Sequence, residues 1–373
     1  MPARHRIAAL IAAGAGVVTA LGLASVPASA ASVPYLSHFH TLTTVHSTIP
    51  NNGDVNPYGI FIVQHSTGDL HAGNVLISNF NNNQNQQGRG TTIVQINPNG
   101  IRSRFALINA STLPGPCPGG VGLTTALEVL PGGWVVVGSV PSTNGQASTS
   151  KAGCLIVLNS EGQVKETITN GINGPWDSVA VTSGSTTDLF VANVLKGTAA
   201  AGGTVVNNGY VQRLTLQLSA SAPPKVVKSI TIANGYPQRT DPNAFVLGIT
   251  GLGLGDDGTL HVAETLTSQI FSVPNALNRS GAAVEGNLVT QGNQLNQPLG
   301  LAMAPNGNIL TVNGADGKIV ETTPAGHQVF HKFLDTTPPS PLGAGALFGL
   351  AVRPDLGGVY YVDDVANTLR LLH

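Results

Sequence analysis

QPLGLAMAPNGNILTVN, residues 297–313, is the stretch from which the rest of the chain can be interpreted. It predicts a short buried strand, a tight turn at Pro305-Asn306-Gly307, and a second strand rich in β-branched residues. Residues 318–322 and 328–333 predict two more strands, with a turn at Pro324-Ala325-Gly326 between them. We therefore expect this segment to form a four-stranded antiparallel sheet.

The opening phrase of this segment recurs along the chain. Residues 248–254 (GITGLGL) and 346–352 (ALFGLAV) share its pattern, and its glycines keep a constant spacing of 49 residues, at positions 251, 300 and 349. A fixed period of four-stranded units, each about 40–50 residues long, is typical of β-propellers. No helical periodicity appears after the N-terminal segment. The sequence therefore predicts an all-β, six-bladed β-propeller with four-stranded antiparallel blades.

The last repeat predicts how the ring closes. It supplies strands at 348–353, 359–363 and 368–372, and no sequence follows for an outer strand. Residues 35–49 alternate apolar and polar side chains and so predict a strand near the other end of the chain. If residues 37–45 fill the vacant place, the ring closes and the sheet edge is covered.

Composition and the N-terminal segment limit the function classes. Only 9% of the 373 residues are charged and the formal net charge is −1, so we expect no nucleic-acid partner. Residues 1–30 join two arginines to an apolar run and end on Ala28-Ser29-Ala30, the pattern of a cleaved signal peptide. A membrane anchor is the alternative. We expect residues 31–373 to form one secreted or extracytoplasmic propeller domain, monomeric and without a membrane span.

The two cysteines, Cys117 and Cys154, predict one disulfide in an oxidising compartment. It would join the loop before the second blade to the third strand of that blade. A catalytic thiol is the alternative, but no histidine stands in an evident relation to either cysteine.

Two pairs of segments resemble the NHL-repeat family of propellers. Pro57-Tyr58-Gly59 with the strand ending at Asn79, and Pro298-Leu299-Gly300 with the strand ending at Asn313, match its unit of Pro-x-Gly-apolar followed by apolar-Ala/Ser-Asp/Asn. The resemblance implies a propeller. It does not imply one function, because that family contains both binding scaffolds and enzymes.

The long insertions of the chain fall on one predicted face, which we call the inserted face. It carries the links between blades and the loops between second and third strands, whereas the opposite face, the turn face, has mostly tight turns. The long segments are 80–90, 109–122, 141–153, 195–208, 233–247 and 336–347. Inserted loops commonly carry binding sites, with neutral drift as the alternative. We expect a small molecule, a glycan or a protein to bind this face.

One residue per repeat, at the end of the second strand, has a polar side chain. The set is Asn79, Ser139, Asn193, Glu264, Asn313 and Asp363. These residues should form a ring around the channel, and mixed carboxylate and amide oxygens are ligands that a divalent cation such as calcium accepts. The alternative is that each side chain bonds the backbone of the following turn.

A second ring is predicted at the start of the innermost strands. Its members are Tyr58, Thr124, Trp176, Thr250, Leu299 and Phe348. The aromatic residues Tyr58, Trp176 and Phe348 suit a stacked small ligand or sugar, and packing between blades would explain them equally well. Asp177 stands where most other repeats have glycine, which makes it a candidate general base.

The propeller resemblance extends to lactonases of the gluconolactonase type, which hold a divalent metal with Glu and Asn/Asp side chains in the channel. The Glu-Gly-Pro motif of that family is replaced here by Asn56-Pro57-Tyr58. The sequence therefore favours a non-catalytic scaffold that binds a ligand or partner. The alternative is a metal-dependent hydrolase or lactonase with Glu264 and Asp363 among its ligands, and a structural envelope protein is a third reading.

Overall fold

The repeats form six antiparallel sheets in a computed structural model, which describes residues 33–373. The predicted signal peptide lies outside the described residues. Five sheets follow the chain in order, from the inner strand at the channel to the outer strand. Blade one has Val55–Ile62, Val75–Asn81, Thr92–Ile96 and Arg102–Leu107, and blade two has Leu123–Leu130, Trp134–Ser139, Cys154–Leu158 and Val164–Ile168.

The next three blades repeat this order. Blade three has Pro175–Ser183, Thr186–Asn193, Val206–Gln217 and Lys225–Asp241, followed by a short strand, Phe245–Leu247. Blade four has Ile249–Leu254, Leu260–Glu264, Gln269–Val273 and Asn287–Gln291, and blade five has Pro298–Met303, Ile309–Asn313, Lys318–Thr322 and Gln328–Phe333. The predicted six-bladed propeller is confirmed.

Blade six is completed by the N-terminal strand, as predicted. Leu347–Val352, Val359–Asp363 and Thr368–Leu372 are joined by Leu42–Ser47, which pairs antiparallel with the last of them. The preceding 3-10 turn, Tyr35–His38, is anchored in blade five, because the backbone N–H groups of Tyr35 and Leu36 each donate to the buried Glu321 carboxylate at 2.8 Å. The N-terminal segment is therefore held by blade five through its 3-10 turn and by blade six through its strand.

Blade three departs from the prediction. Its third and outer strands continue into segments predicted as loops at 195–208 and 233–247, and the outer strand also pairs in parallel with Ala283–Val284. Gly235 and Pro237 are residue types typical of loops. The two extensions nevertheless pair with each other as strands, for example at Gly209 and Tyr236. They form a β-ribbon that stands on the inserted face.

The repeated segment that contains Gly251, Gly300 and Gly349 corresponds to a bulge in the inner strand, and each blade has one. In every blade the register between inner and second strand shifts at this point, as between Pro298 and Leu301 in blade five. A bulge leaves backbone groups unpaired and bends the strand toward the channel. Glycine is required there in several blades, since a Cβ on Gly300 or Gly349 would collide with a backbone carbonyl of the following blade.

A disulfide and two short turns complete the description of residues 33–373. Cys117 and Cys154 form the predicted disulfide, which joins the link before blade two to that blade's third strand. Two further 3-10 turns are Ala110–Thr112 and Ala147–Thr149. Within residues 33–373 no helix has the length and apolar character needed to cross a bilayer.

Candidate functional site

The bulges narrow the channel and divide it into two cavities that share no lining residue. The bulges lie at one height along the channel, which we call the bulge level. There Gly251 packs on the Leu299 carbonyl, Gly300 on the Phe348 carbonyl, and Gly349 on the Tyr58 carbonyl. On the inserted-face side lies a cavity of about 580 Å³, the mouth cavity. On the turn-face side lies a cavity of about 330 Å³, the channel cavity.

The mouth cavity has an aromatic floor, which includes three of the predicted ligand-binding residues. Tyr58, Trp176 and Phe348 line it. Tyr58 is stacked between Phe80 and Phe348, with ring centroids 4.6 and 4.1 Å apart, and Trp176 meets Tyr58 edge-on. Both faces of Tyr58 are therefore covered, and this ring closes the floor instead of stacking on a ligand.

Asp364 supplies a carboxyl group to the wall of the mouth cavity. Burial, and then the charge of the neighbouring Asp363, raise the pKa of Asp364 to about 7. Within the described residues no protein group donates a hydrogen bond to this carboxyl. A carboxyl group with a pKa near neutrality and no protein partner is suited to exchange protons with a ligand or a water molecule.

Three amide side chains add unpaired oxygens to the same cavity. In residues 33–373 no donor reaches Asn56 Oδ1, Asn81 Oδ1 or Gln87 Oε1, although each is buried. Their amide nitrogens are used elsewhere: Asn81 donates to Asn85 and Gln87 donates to the Asn243 carbonyl. Buried acceptors without donors cost free energy, which a ligand carrying hydroxyl groups would recover.

Arg239 supplies the positive charge of the mouth cavity. Its guanidinium forms an ion pair with Asp241 at 2.9 Å. Although burial acts in the other direction, hydrogen bonds from the Ala244 and Asn243 N–H groups and the charge of Arg239 lower the pKa of Asp241. Asp241 is therefore an ionised structural partner of Arg239, whereas Asp364 has no such partner.

The predicted ring at the ends of the second strands is fully buried, and its side chains bond their own blades and the adjoining links. Glu264 accepts from the Leu266 and Thr267 N–H groups at 3.0 and 2.7 Å. Asp363 accepts from the Ala366 N–H at 3.0 Å and from Arg370 at 2.9 Å. Three others donate: Asn79 to Thr92, Ser139 to the Gly120 carbonyl and Asn313 to Asp316. Asn193 accepts from the Asn173 N–H at 2.9 Å.

The two carboxylates of the ring accept from turn N–H groups and an arginine, which corresponds to the turn interpretation. Asn79 Oδ1 and Asn313 Oδ1 are buried and have no donor in residues 33–373, and the ring as a cation site stays a prediction. The mouth cavity offers a divalent cation few anionic ligands, because its two acidic lining residues are Asp364 and the arginine-paired Asp241. Among the described residues no three His, Cys, Asp or Glu side chains are grouped as metal ligands.

Asp177 lies away from the inserted face on which we expected any site. Its carboxylate crosses to blade four and accepts from the Leu252 N–H at 2.8 Å, and it lines the channel cavity beyond the bulge level. Burial raises the pKa of Asp177 to about 7, against hydrogen bonds from Leu252 and Ser178 that lower it. The residue that the repeat pattern singled out is thus a buried acid, but in the other cavity.

Sequence reasoning missed Asp364, Asn81 and Gln87. Asp364 follows the predicted ring residue Asp363 by one position, and the acidic pair was the available signal. Asn81 and Gln87 lie in the insertion 80–90, which the sequence assigned to the inserted face without singling out a residue. Asp364 follows a strand of blade six, whereas Asn81 and Gln87 belong to blade one. The three residues line one cavity because the closed ring places blade six next to blade one.

Solved structures of six-bladed propellers are similar to this chain over most of its length. A gluconolactonase from Xanthomonas campestris has a TM-score of 0.56 at 12% identity, covering 89% of this chain and 88% of that one. A luciferin-regenerating enzyme has a TM-score of 0.56 at 9% identity, covering 89% and 95%. Regucalcin, a calcium-binding protein from Agrobacterium tumefaciens, has a TM-score of 0.53 at 11% identity, covering 90% and 93%.

No protein-family model matches the chain, and no curated protein matches its sequence. The NHL resemblance therefore remains a resemblance, and at these identities the likeness to solved structures establishes the fold. The comparisons do correct one expectation. We favoured a scaffold over an enzyme, but similar propellers are named as a gluconolactonase and a luciferin-regenerating enzyme, so that preference is withdrawn.

Proposed function

We propose that the chain is an exported hydrolase of small hydroxylated lactones, with its active site in the mouth cavity. The observation that carries this proposal is the half-buried Asp364 carboxyl, which lines the mouth cavity without a protein donor and whose pKa is raised to about 7. The similarity to a gluconolactonase propeller supports the reaction class. The disulfide and the predicted signal peptide support export.

Asp364 acts as the general base in this scheme. Its carboxylate accepts a proton from a water molecule while the water oxygen bonds to the lactone carbonyl carbon. The ring C–O bond then breaks, and the departing ring oxygen takes the proton back from Asp364, which gives an open hydroxy acid. Arg239 lines the same cavity, where its positive charge favours the oxyanion that forms and the carboxylate product.

The unpaired amide oxygens define the substrate. Asn56, Asn81 and Gln87 offer acceptors that match the hydroxyl groups of a sugar-derived lactone. The cavity volume of about 580 Å³ lies within the range of small-molecule sites, about 300–1,000 Å³. The expected substrate is therefore compact and neutral, with several hydroxyl groups on one ring. No metal ligand is required from the protein in this scheme.

The proposal is tested with the Asp364→Asn variant. Hydrolysis of a panel of five- and six-membered sugar lactones is followed by proton release, with spontaneous hydrolysis subtracted. Because Asn cannot accept the proton of the attacking water, we expect kcat/KM to fall at least a hundredfold, by about 3 kcal/mol. Asp355→Asn, on the exposed turn between two strands of blade six, is the matched control and should retain wild-type rates.

Two outcomes would overturn the proposal. One is a wild-type protein that accelerates none of the lactones. The other is an Asp364→Asn variant that keeps wild-type activity while its thermal unfolding is unchanged. Assays with EDTA and with added calcium address the metal: rates unchanged by both support the scheme, whereas loss of activity in EDTA contradicts it.

A further inference from the structure

The channel cavity contains a second group of buried polar side chains, which the hydrolase scheme does not use. It opens below the bulge level and is lined by the inner strands of all the blades. Its walls are largely aliphatic, including Leu252, Leu254, Leu301, Met303 and Leu350. Lysine, arginine and histidine are absent from its lining within the described chain. The cavity is therefore apolar and lacks any compensating positive charge.

Two carboxyl groups from neighbouring blades line this cavity. Glu128 comes from the inner strand of blade two and Asp177 from that of blade three, and each residue is 8% exposed. Glu128 has no hydrogen bond or ion pair to any described residue. Burial, and then the charge of Asp177, raise the pKa of Glu128 well above its usual value. Two buried acids with so few partners are costly in an empty site.

A third polar group accompanies them. Ser178 is also 8% exposed and lines the same cavity. Its hydroxyl Oγ has no hydrogen-bond partner in the part of the chain that the structure describes. Native proteins pair most buried hydroxyl groups, so an unpaired one beside the unpartnered Glu128 carboxyl marks a candidate ligand site. A ligand with several donors and a positive charge would pair these oxygens and favour the ionised carboxylates.

We propose that the channel cavity binds a small aliphatic amine in its ammonium form. The ammonium group has three N–H donors and no acceptor, which matches the oxygens of Glu128, Asp177 and Ser178. The aliphatic walls accommodate the alkyl body of the amine. A bare divalent cation would need additional oxygen ligands, which the Leu and Met side chains do not supply. The volume of about 330 Å³ restricts the ligand to a short chain.

The proposal is independent of lactone hydrolysis and is tested by binding to the full mature chain. The probe is n-pentylamine at neutral pH, with 1-pentanol as the uncharged analogue, measured by thermal unfolding and by titration calorimetry. At a concentration one hundredfold above Kd, we expect the amine to raise Tm by about 4 °C, in a saturable way. Pentanol should leave Tm unchanged.

Glu128→Gln is the test variant, because the amide keeps the size of the side chain and removes a buried acid. Glu166→Gln, on the exposed outer strand of the same blade, is the matched control. We expect calorimetric binding to be lost in Glu128→Gln and retained in Glu166→Gln. Equal binding in both variants, an equal response to pentanol, or a response to calcium without one to the amine would overturn the proposal.

Discussion

The two cavities lie in the same channel, on opposite sides of the bulges, but have opposite character. The mouth cavity joins an aromatic floor to amide oxygens, Arg239 and Asp364, most of which come from inserted loops and strand ends. The channel cavity is lined by the strands themselves, with aliphatic walls and two acids, Glu128 and Asp177. The repeated strands therefore form the cavity walls and the bulges that separate the two cavities. The polar side chains that could bind or react with a ligand are residues that depart from the repeat.

A second contrast separates structural from functional polar groups. Glu264 and Asp363 are fully buried acids, yet turn N–H groups, or an arginine, satisfy each of them within its own blade. Asp364 and Glu128 lack such partners within residues 33–373. Burial alone does not mark a site in this protein. The informative observation is a carboxyl group that lines a cavity and is left without a partner.

The largest expected effect on stability is at Trp176, which lies in the floor of the mouth cavity. Trp176→Ala removes a side chain that is 2% exposed and contacts Tyr58, Phe80 and Phe245, so the free energy of unfolding should fall by about 4 kcal/mol. Urea unfolding measures it. Trp134→Ala is the control, because Trp134 is partly exposed and should cost about 1 kcal/mol. Equal losses in both variants would contradict the closed floor.

The bulge level itself is tested at Gly300. A Cβ at this position meets the Phe348 carbonyl of the next blade, so Gly300→Ala should push two blades apart and cost about 3 kcal/mol. Gly281→Ala is the control, since a Cβ there meets no atom within 4 Å and the change should cost less than about 0.5 kcal/mol. A Gly300→Ala variant as stable as the control would show that the inner strands are not in contact.

The smallest expected effect concerns the acid of the channel cavity. Asp177 has a pKa of about 7 in the folded chain, above its ordinary 3.8, so the unfolded chain ionises first as pH rises. Between those two values the folded state loses about 1.4 kcal/mol per pH unit from this group. Asp177→Asn keeps an acceptor for the Leu252 N–H and removes this pH-dependent decrease in the free energy of unfolding.

Between pH 5.5 and 7.0 the variant should therefore gain about 2 kcal/mol on the wild type. Urea unfolding at the two pH values measures this gain, and the ligand-free protein is used. A stability difference between variant and wild type that stays constant over this interval would contradict the burial of an ionisable Asp177.

Much of the fold could be predicted from the sequence because each blade repeats the same local chemistry. The glycine of the repeat, the turn at Pro305-Asn306-Gly307 and the second strand after it specify one blade almost by themselves, and the missing outer strand predicted the closure. The ribbon of blade three could not be predicted, since Gly235 and Pro237 are typical of loops. Only the pairing of two distant segments makes them strands.

The site was less predictable because it depends on contacts between blades that are distant in sequence. Asp177 stood out as a departure from the repeat, but which cavity it would line depended on its bond to Leu252 in the next blade. Glu128 is the one charged residue in its inner strand, a signal that we did not use. Asp364, by contrast, is one residue from a turn residue and acquires its pKa from burial in the closed ring.

The most direct test of the account is the pH dependence of lactone hydrolysis by the wild-type protein, corrected for spontaneous hydrolysis. A general base must be deprotonated to act, so kcat/KM should rise nearly tenfold per pH unit below the Asp364 pKa of about 7 and level off above pH 8. A corrected rate that is independent of pH between 5.5 and 8.5, or that falls as pH rises, would contradict Asp364 as the base.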